Sequence, residues 1–333
     1  MVSDTNIAKK AIWEKNQYLY GSMKKTAKAG RKVICSGEIV LDIIMKDGQP
    51  LSANPGGSTF NTAVSLGRAG VETCFVGEIG GDDAGKLVKD FLAANGVSTG
   101  YLYEHAGHKT NLSLAFLDER NDARYSFYRD EPGERPHFTL PEINPGDVVV
   151  FGSYFAVAPQ LRGHITRLLG KAVEAGAIVY YDINFRPSHA KDLSRLRPFI
   201  TGNIASSDIV RASVDDLATA FGGDEPECRC FIRTDGPRKI VLRDVSGTSE
   251  YPVEQIDTLS TIGAGDSFNA GIAYGLIKEG VSREDLLAGL PARVWDDIIG
   301  CARAFSQACC RSLENYVPAD YPFVAEHQDG GKQ

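Results

Sequence analysis

Apolar positions along the chain follow two alternating patterns. Short runs rich in β-branched and aromatic residues predict buried strands, and the longer stretches with one apolar helical face predict helices between them. The predicted strands are 33–41, 73–76, 147–151, 177–181, 207–210, 231–234 and 239–242, and the predicted helices include 62–70, 82–95, 161–175 and 268–277. Strands that alternate with helices of this length are typical of an α/β fold, with a mostly parallel central sheet and helices on both faces.

Two runs with period-two patterning interrupt this rhythm. Residues 111–117 and 124–128 alternate apolar and polar positions, and the turn-rich segment 118–122 joins them. They predict an antiparallel hairpin that is separate from the parallel sheet.

Two turns rich in glycine each lead into a predicted helix. The earlier one is Asn54-Pro-Gly-Gly-Ser-Thr-Phe-Asn61, and the later one is Ser260-Thr-Ile-Gly-Ala-Gly-Asp-Ser-Phe268. A helix that opens on glycine presents unpaired backbone N–H groups at the positive end of its dipole, and these attract phosphate oxygens. Asp266 directly follows Gly265 and is placed to take a proton from a hydroxyl that attacks a phosphate. Considered alone, this turn fits an ordinary helix start with a first-turn acid equally well.

Composition and charge narrow the function classes. The 333 residues carry a formal net charge of −7, with 43% hydrophobic and 24% charged residues, as in an ordinary globular protein. The negative charge argues against general binding of nucleic acid, and no apolar run reaches the length of a membrane span. The seven cysteines are odd in number and mostly scattered, so we expect free thiols, a reducing compartment and a cytoplasmic location.

The two ends of the chain differ from the rest. Residues 1–30 are rich in lysine and contain no continuous apolar stretch, which predicts a loosely ordered N-terminal extension. Residues 326–333 are predicted to form a C-terminal tail.

The two glycine motifs together carry a resemblance to a known family. Gly56-Gly57-x-x-x-Asn61, followed much later by Gly263-Ala-Gly-Asp266, resembles the PfkB carbohydrate kinases, also called the ribokinase-like family. The resemblance extends from about residue 33 to about residue 324, and it implies a ribokinase-like kinase domain over residues 31–325. It also implies a small β-sheet lid around residues 43–52 and 107–130, pairing of two subunits as a homodimer through that lid, and the use of ATP and Mg²⁺.

The resemblance gives roles to individual residues. Asp266 corresponds to the catalytic base, beside the backbone amides of Gly263, Ala264 and Gly265. The matching sugar-binding residues are Asp42, Gly56, Gly57, Asn61, Phe127, Arg129, Asp182, Asn184 and Arg186. The matching ATP-binding residues are Ser213, Thr234, Gly236, Gly263 and Gly265, and Asp216 corresponds to a residue that holds Mg²⁺ through water. Independently of the family, Asp42 and Asp182 each follow a predicted strand, at the edge where open α/β sheets bind ligands.

Two further segments bear on the substrate. Tyr125-Ser-Phe-Tyr-Arg129 and Asp182-Ile-Asn-Phe-Arg186 resemble motifs that fructokinases and 2-keto-3-deoxygluconate kinases share. Arginine suits a carboxylate, a phosphate or a row of hydroxyls. We therefore expect an ATP-dependent kinase that phosphorylates a primary hydroxyl of fructose. A 2-keto-3-deoxygluconate kinase, a nucleoside or phosphosugar kinase, and a non-catalytic sugar sensor on the same fold stay open as alternatives.

Three positions depart from the family pattern. Ser260-Thr261 stands where relatives have an Asp-Thr pair that helps to bind a monovalent cation, so activation by potassium (K+) stays open. Ser213 replaces the asparagine of an acidic motif that ends at Asp216, and Pro237-Arg-Lys239 lacks the second glycine that usually follows Gly236. A dinucleotide-dependent oxidoreductase is not favoured, because no G-x-G-x-x-G follows the first predicted strand.

Overall fold

The computed structural model of the chain describes residues 30–118, 123–130, 132, 133, 135 and 138–322. The predictions for residues 1–29, for the tail at 326–333 and for most of the turn at 118–122 lie outside the described residues. In the described part, no helix combines the length and the apolar character that crossing a membrane requires.

The strands of the described part form a large sheet and a small one. Their bounds are β1 Val33–Ser36, β2 Val40–Lys46, β3 Gln49–Gly56, β4 Thr73–Gly80, β5 Val97–His105, β6 Leu112–Leu117, β7 Ala123–Tyr128, β8 Val148–Gly152, β9 Ile178–Asp182, β10 Ile209–Ser213, β11 Cys230–Asp235, β12 Lys239–Asp244 and β13 Gly247–Pro252. The large sheet has the order β13-β12-β11-β10-β9-β8-β1-β4-β5. Neighbours from β11 to β5 are parallel, and β12 and β13 add antiparallel strands at one edge. The predicted mostly parallel α/β sheet is confirmed.

Helices cover both faces of the large sheet. Within the described residues they are α1 Ser58–Arg68, α2 Asp83–Ala94, α3 Arg162–Ala175, α4 Leu193–Ala205, α5 Val214–Phe221, α6 Ala264–Lys278, α7 Arg283–Ala288 and α8 Ala292–Cys310. Helices α1, α2, α6, α7 and α8 share one apolar core, and α3, α4 and α5 share the other. In strand β8, Val148 and Val150 join the first core, whereas Val149 and Phe151 join the second. Because both sides of each central strand are buried, these strands form continuous apolar runs in the sequence.

The chain leaves the large sheet earlier than predicted. The expected single strand over 33–41, ending at Asp42, is wrong: β1 ends at Ser36, and Asp42 lies inside β2 of the small sheet. At Gly37 the backbone passes so close to α1 that a Cβ atom would lie 1.7 Å from Thr59 Oγ1. The residues that follow, Ile39 to Leu41, are buried as well, so the apolar pattern continues across the break.

The small sheet has the order β3-β2-β6-β7. Strands β6 and β7 pair antiparallel, with Leu112 opposite Tyr128, which confirms the predicted hairpin. Strand β2 joins this hairpin by parallel pairing with β6 and joins β3 by antiparallel pairing. The small sheet therefore begins at Val40 and carries Asp42 in one of its two inner strands.

Candidate active site

Helices α1 and α6 begin at the two glycine turns, and their N-terminal ends meet. Ser58 Oγ donates to Asp266 Oδ1 at 2.7 Å, and Asn61 Nδ2 donates to Asp266 Oδ2 at 2.8 Å. Thr62 Oγ1 donates to the main-chain oxygen of Asp266 at 2.9 Å. Asn61 and Asp266 are 205 residues apart in the chain, so the fold joins two distant motifs into one unit.

Burial sets the acid–base character of Asp266. The residue is 9% exposed, and burial raises the pKa of its carboxyl to about 6. The hydrogen bonds from Asn61 and Ser58 limit this rise in pKa because they stabilise the charged form, and Arg186 acts in the same direction. The carboxyl is therefore mostly ionised at neutral pH, yet it binds a proton more tightly than an ordinary aspartate. Both properties suit a general base.

The N-terminus of α6 is suited to binding an anion. Gly263 precedes the helix with a φ of 77°, a left-handed conformation that favours glycine, and no side chain caps the helix. The Ser267 N–H makes the first helical hydrogen bond, to the Gly263 oxygen at 2.8 Å. Of the predicted amides, that of Ala264 donates to the Thr261 oxygen at 3.2 Å. The amides of Gly265 and Asp266 precede the helical ladder, at the positive end of the dipole and next to the Asp266 carboxylate.

Asp42 lies at the other end of the first glycine turn. Its Oδ2 is so close to Gly56 that a Cβ atom on that residue would lie 2.5 Å away. Burial raises the pKa of Asp42 to about 6, the nearby Ser113 hydroxyl opposes the rise, and the charge of Glu38 adds to it. Gly57 follows Gly56 and precedes α1, which carries the partners of Asp266. The two acids thus flank one turn.

The predicted lid arginine lies beside this turn. Arg129 Nε donates to Glu38 Oε1 at 3.2 Å, and Glu38 is the residue whose charge acts on Asp42. The Arg129 guanidinium lies 4.9 Å from the ring centre of Phe127 and 5.5 Å from that of Tyr154. An acid and two aromatic rings therefore hold Arg129 at the base of the small sheet.

Asp182 is placed beneath the site. It is fully buried, its Oδ1 accepts from Arg211 Nη1 at 3.1 Å, and its Oδ2 accepts from Asn269 Nδ2 at 2.8 Å. Burial raises the pKa of its carboxyl, and Arg211 opposes this. Both carboxylate oxygens are engaged inside the protein, so the structure gives the predicted sugar-binding residue Asp182 a supporting position.

After β9 the chain is still buried at Asn184 and reaches the surface at Arg186. Asn184 is buried and has a φ of 37°, which asparagine tolerates better than most residues. Arg186 is exposed, and its charge acts on the Asp266 carboxyl. Of the three residues predicted from this motif, Arg186 is the one that combines exposure with an effect on the proposed base.

A cleft of about 540 Å³ adjoins the N-terminus of α6. The predicted ATP-binding residues Ser213, Thr234, Gly236 and Gly265 line it, together with the apolar side chains of Ile240, Val253, Ile256 and Phe268. Gly263 instead packs against residue 315, whose main-chain oxygen would lie 1.9 Å from a Cβ atom at position 263. A lining that combines helix amides with apolar side chains suits a nucleotide, which has anionic phosphates and a flat base.

Ser213 and Asp216 form a capping box at the start of α5. Asp216 Oδ2 accepts from the Ser213 N–H at 2.8 Å and from Ser213 Oγ at 2.6 Å. Across the described ranges, no group of three or more His, Cys, Asp or Glu residues could hold a metal. Magnesium bound by nucleotide phosphates needs only one or two protein carboxylates, commonly through water. Asp215 lines the cleft and fits that requirement, whereas the predicted Asp216 is 4% exposed and its Oδ2 already accepts two hydrogen bonds from Ser213.

The segment before α6 offers a weaker fit to a monovalent cation. Ser260 Oγ accepts from the Ile262 N–H at 3.2 Å, so this hydroxyl organises the turn. The acid of the segment, Asp257, is exposed. The residues present thus place a hydroxyl at the position where the family resemblance would require a carboxylate, and no step below depends on potassium.

Sequence reasoning did not find several residues that build this site. Arg211 is a charged residue within the apolar strand 209–212, and Asn269 is an amide within the apolar helix 268–277. A polar group placed in a buried run needs a partner, and that requirement was the available signal. Ser58 and Glu38 gave no comparable signal, because polar residues are common beside glycine turns.

Comparison with known proteins shows which family the chain resembles along most of its length. Residues 31–290 match the model of the family described as "pfkB family carbohydrate kinase". Fructokinase-1 of Zea mays is 28% identical over 284 residues, which cover 77% of this chain and 87% of that protein. Among solved structures, aminoimidazole riboside kinase from Salmonella enterica has a TM-score of 0.73 at 22% identity, covering 86% of this chain and 96% of its own. Fructokinase from Vibrio cholerae O395, in the form bound to fructose, ADP and calcium ion, has a TM-score of 0.73 at 20% identity, covering 86% and 94%.

The structural likeness confirms the ribokinase-like α/β fold, including the separate small sheet. The family match spans most of the chain and includes both glycine motifs. The protein is therefore a phosphotransferase that acts on a sugar hydroxyl, and its chain belongs to the pfkB family of carbohydrate kinases.

Proposed function

We propose that this protein is an ATP-dependent fructokinase, which transfers the γ-phosphate of ATP to a primary hydroxyl of fructose. The observation that carries the proposal is the Asp266 carboxyl, which Ser58 and Asn61 hold at the N-terminus of α6 and whose pKa burial raises to about 6. Relatives named fructokinase, such as that of Zea mays, support the choice of sugar.

The first glycine turn binds the sugar in this proposal. Asp42 accepts hydrogen bonds from sugar hydroxyls beside Gly56, and the reacting hydroxyl lies against Asp266. Among the described residues, buried Asn61 Oδ1 has no hydrogen-bond partner, so a sugar hydroxyl would satisfy it. The same side chain donates through Nδ2 to Asp266, and it thereby aligns the sugar with the base.

The second glycine turn carries the transfer. Asp266 takes the hydroxyl proton as the bond from the sugar oxygen to the γ-phosphorus forms. The bond between that phosphorus and the bridging oxygen of the β-phosphate breaks, and ADP leaves with the electron pair. The amides of Gly265 and Asp266 stabilise the charge on the phosphoryl oxygens throughout.

In this proposal, ATP binds together with Mg²⁺ as its counter-ion. Asp215, with Asp216 beside it, would hold the ion through water at the nucleotide cleft. When bound, the ion supplies positive charge against the phosphate oxygens.

A second candidate is the phosphorylation of 2-keto-3-deoxygluconate. The exposed Arg186, whose charge already acts on Asp266, favours it because a guanidinium binds a carboxylate with two parallel hydrogen bonds. Fructose offers only hydroxyls to that arginine.

A panel of acceptors tests both candidates. ADP release from ATP and Mg²⁺ would be measured with fructose, 2-keto-3-deoxygluconate, ribose, adenosine and fructose 6-phosphate, each with and without potassium. We expect the highest kcat/KM with fructose. A higher kcat/KM with 2-keto-3-deoxygluconate would replace the first candidate by the second. Binding of a sugar without any ADP release would contradict both and would favour a sensor.

We also propose a homodimer formed through the small sheet. Leu51, Phe127 and Tyr128 on β3 and β7 are 61%, 48% and 56% exposed, and both strands are edges of that sheet. Exposed apolar edges favour pairing with another copy. In sedimentation analysis the wild type should be a dimer, and Leu51→Lys should dissociate at a higher concentration than the wild type. A monomeric wild type would contradict the proposal.

The compartment in this proposal is the cytoplasm. The seven cysteines of the chain all lie in the described part, and all are free. Free thiols support a reducing environment. Fractionation of cells that express the tagged protein would test this.

A further inference from the structure

Arg211 is a buried charge near the carboxyl end of strand β10. It is 7% exposed and lies between β9 and β11 in the large sheet. Its Nη1 donates to Asp182 Oδ1 at 3.1 Å, and its Nη2 donates to Thr234 Oγ1 at 2.6 Å. Residues of the two adjacent strands therefore fix the guanidinium in one position.

That position is directly against the anion-binding turn. A Cβ atom on Gly265 would lie 3.2 Å from Arg211 Nη2 and 3.4 Å from Nη1. Arg211 and Gly265 both line the nucleotide cleft. The cation thus lies where the cleft meets the N-terminus of α6, on the nucleotide side of the site.

Arg211 has more hydrogen-bond donors than its two protein acceptors use. Its Nε is buried and has no hydrogen-bond partner within the described part of the chain. A guanidinium presents its N–H groups in a planar fork, and phosphate oxygens match that geometry. Because a buried unpaired donor is unfavourable, its presence beside an anion site points to a ligand that accepts from it.

The charge of Arg211 is permanent under all working conditions. Burial lowers the pKa of the guanidinium, but the carboxylates of Asp182 and Asp216 outweigh burial, so the pKa lies above its ordinary value. The two carboxylates thus keep the guanidinium charged, although only its Nη1 is hydrogen-bonded to Asp182. A cation held this way can meet an incoming phosphoryl group without first reorganising.

We propose that Arg211 is a catalytic residue whose guanidinium contacts the γ-phosphoryl group of ATP at Gly265 during transfer. The inference rests on the proposed function. The oxygen of the sugar hydroxyl bonds to the γ-phosphorus, its proton passes to Asp266, and the phosphorus–oxygen bond to ADP breaks. Arg211 neutralises the phosphoryl oxygens from the nucleotide side, where it lines the cleft.

The decisive variant is Arg211→Gln, compared with Arg211→Lys and with Arg229→Gln as a matched control. The Arg229 side chain is 61% exposed, its Nη1 lies 3.9 Å from Asp208 Oδ1, and it is not one of the residues that line the cleft. We expect Arg211→Gln to lower kcat by about 10²–10³-fold, the effect of removing one preorganised donor. Arg211→Lys should recover part of the loss, and Arg229→Gln should match the wild type.

A binding comparison separates contact with the phosphoryl group from a structural role. Affinities for ADP and for AMP-PNP would be measured by titration calorimetry, because only AMP-PNP carries a γ-phosphoryl group. In Arg211→Gln the affinity for AMP-PNP should fall about tenfold or more relative to that for ADP, the value of one hydrogen bond to a charged group. Equal losses for both nucleotides, or a kcat within about threefold of the wild type, would overturn the proposal.

Loss of Arg211 leaves the buried Asp182 carboxylate without its cation, so a second variant guards against unfolding. The double variant Asp182→Asn with Arg211→Gln removes both charges and keeps two amides of similar size. If Arg211→Gln fails to fold, the double variant takes its place in both measurements with the same expected results. The nucleotide comparison needs no turnover, so it decides the role of Arg211 even if none of the sugars tested is a substrate.

Discussion

Replacing Asp266 by asparagine should abolish most activity and at the same time stabilise the protein. The variant removes the proposed general base, so kcat should fall by about 10²–10⁴-fold. The amide can still accept from Asn61 and can donate to the Ser58 hydroxyl, so the hydrogen bonds now made by Asp266 have replacements. The substitution therefore isolates the charge of the carboxyl.

The magnitude of the stabilisation follows from the pKa. Burial raises the pKa of Asp266 from its ordinary 3.8 to about 6, and this difference corresponds to about 3 kcal/mol. The folded-state pKa lies above the unfolded value, so the ionised carboxyl destabilises the fold fully above pH 6. The penalty shrinks as the pH falls through 6 and disappears below 3.8. We expect Asp266→Asn to gain up to about 3 kcal/mol at pH 8 and about half of that at pH 5.

Urea unfolding of the wild type and the variant at pH 8 and pH 5 measures both values, with ADP release measured on the same samples. The exposed Asp320→Asn serves as the control and should change neither stability nor turnover. A stability difference that is equal at both pH values would refute the role of burial. Retention of nearly full turnover would refute the role of Asp266 as the base.

Three further predictions follow from the same contacts. The kcat/KM for the sugar should fall as the pH drops through about 6. Ser58→Ala should move this acidic limb of the pH profile to higher pH, because it removes a hydrogen bond to the charged form of Asp266. An unchanged limb would contradict a role for this hydrogen bond. Gly56→Ala places a methyl group where Asp42 Oδ2 would be 2.5 Å away, so the KM for the sugar should rise while the KM for ATP stays the same, and equal rises would count against a sugar role for Asp42. Gly263→Ala should destabilise the fold by about 2 kcal/mol or more in urea, because φ is 77° and a Cβ atom would be 1.9 Å from a main-chain oxygen; a stable variant would show that the turn can rearrange.

The central strands of the large sheet could be predicted because they are buried on both faces. Runs such as 147–151 and 177–181 are apolar at every position that faces either core, and the helix between them has one apolar face. Such patterns specify strand and helix without any tertiary knowledge. The hairpin of β6 and β7 could also be predicted, because apolar and polar positions alternate along its strands.

The break between β1 and β2 could not be predicted from the same signal. Ile39 to Leu41 are buried like the strand before them, but Val40 and Leu41 already belong to the small sheet. The apolar pattern of the sequence shows that a residue is buried, but it does not show which sheet or helix buries it. At the break, Gly37 lies close to Thr59 on another element, and periodicity carries no information about such a contact.

The candidate site shows the same division. Asn61 and Asp266 were readable as members of two motifs, whereas the hydrogen bond between them depends on how α1 packs against α6. Asp182 was readable as an acid at a strand end, but its partners Arg211 and Asn269 come from two other elements. Sequence patterns thus give candidate groups, and the fold decides which of them face a ligand and which support it.

The most direct test of the central claim is the stoichiometry of transfer by the wild-type protein. Phosphorus NMR would follow ATP, Mg²⁺ and fructose, beside a sample without sugar and a sample with Asp266→Asn. We expect one sugar phosphate ester for each ADP formed, almost no ADP without sugar, and almost no ester with the variant. ADP that forms at the same rate with and without any sugar of the panel, or an ester that forms equally fast with Asp266→Asn, would contradict it.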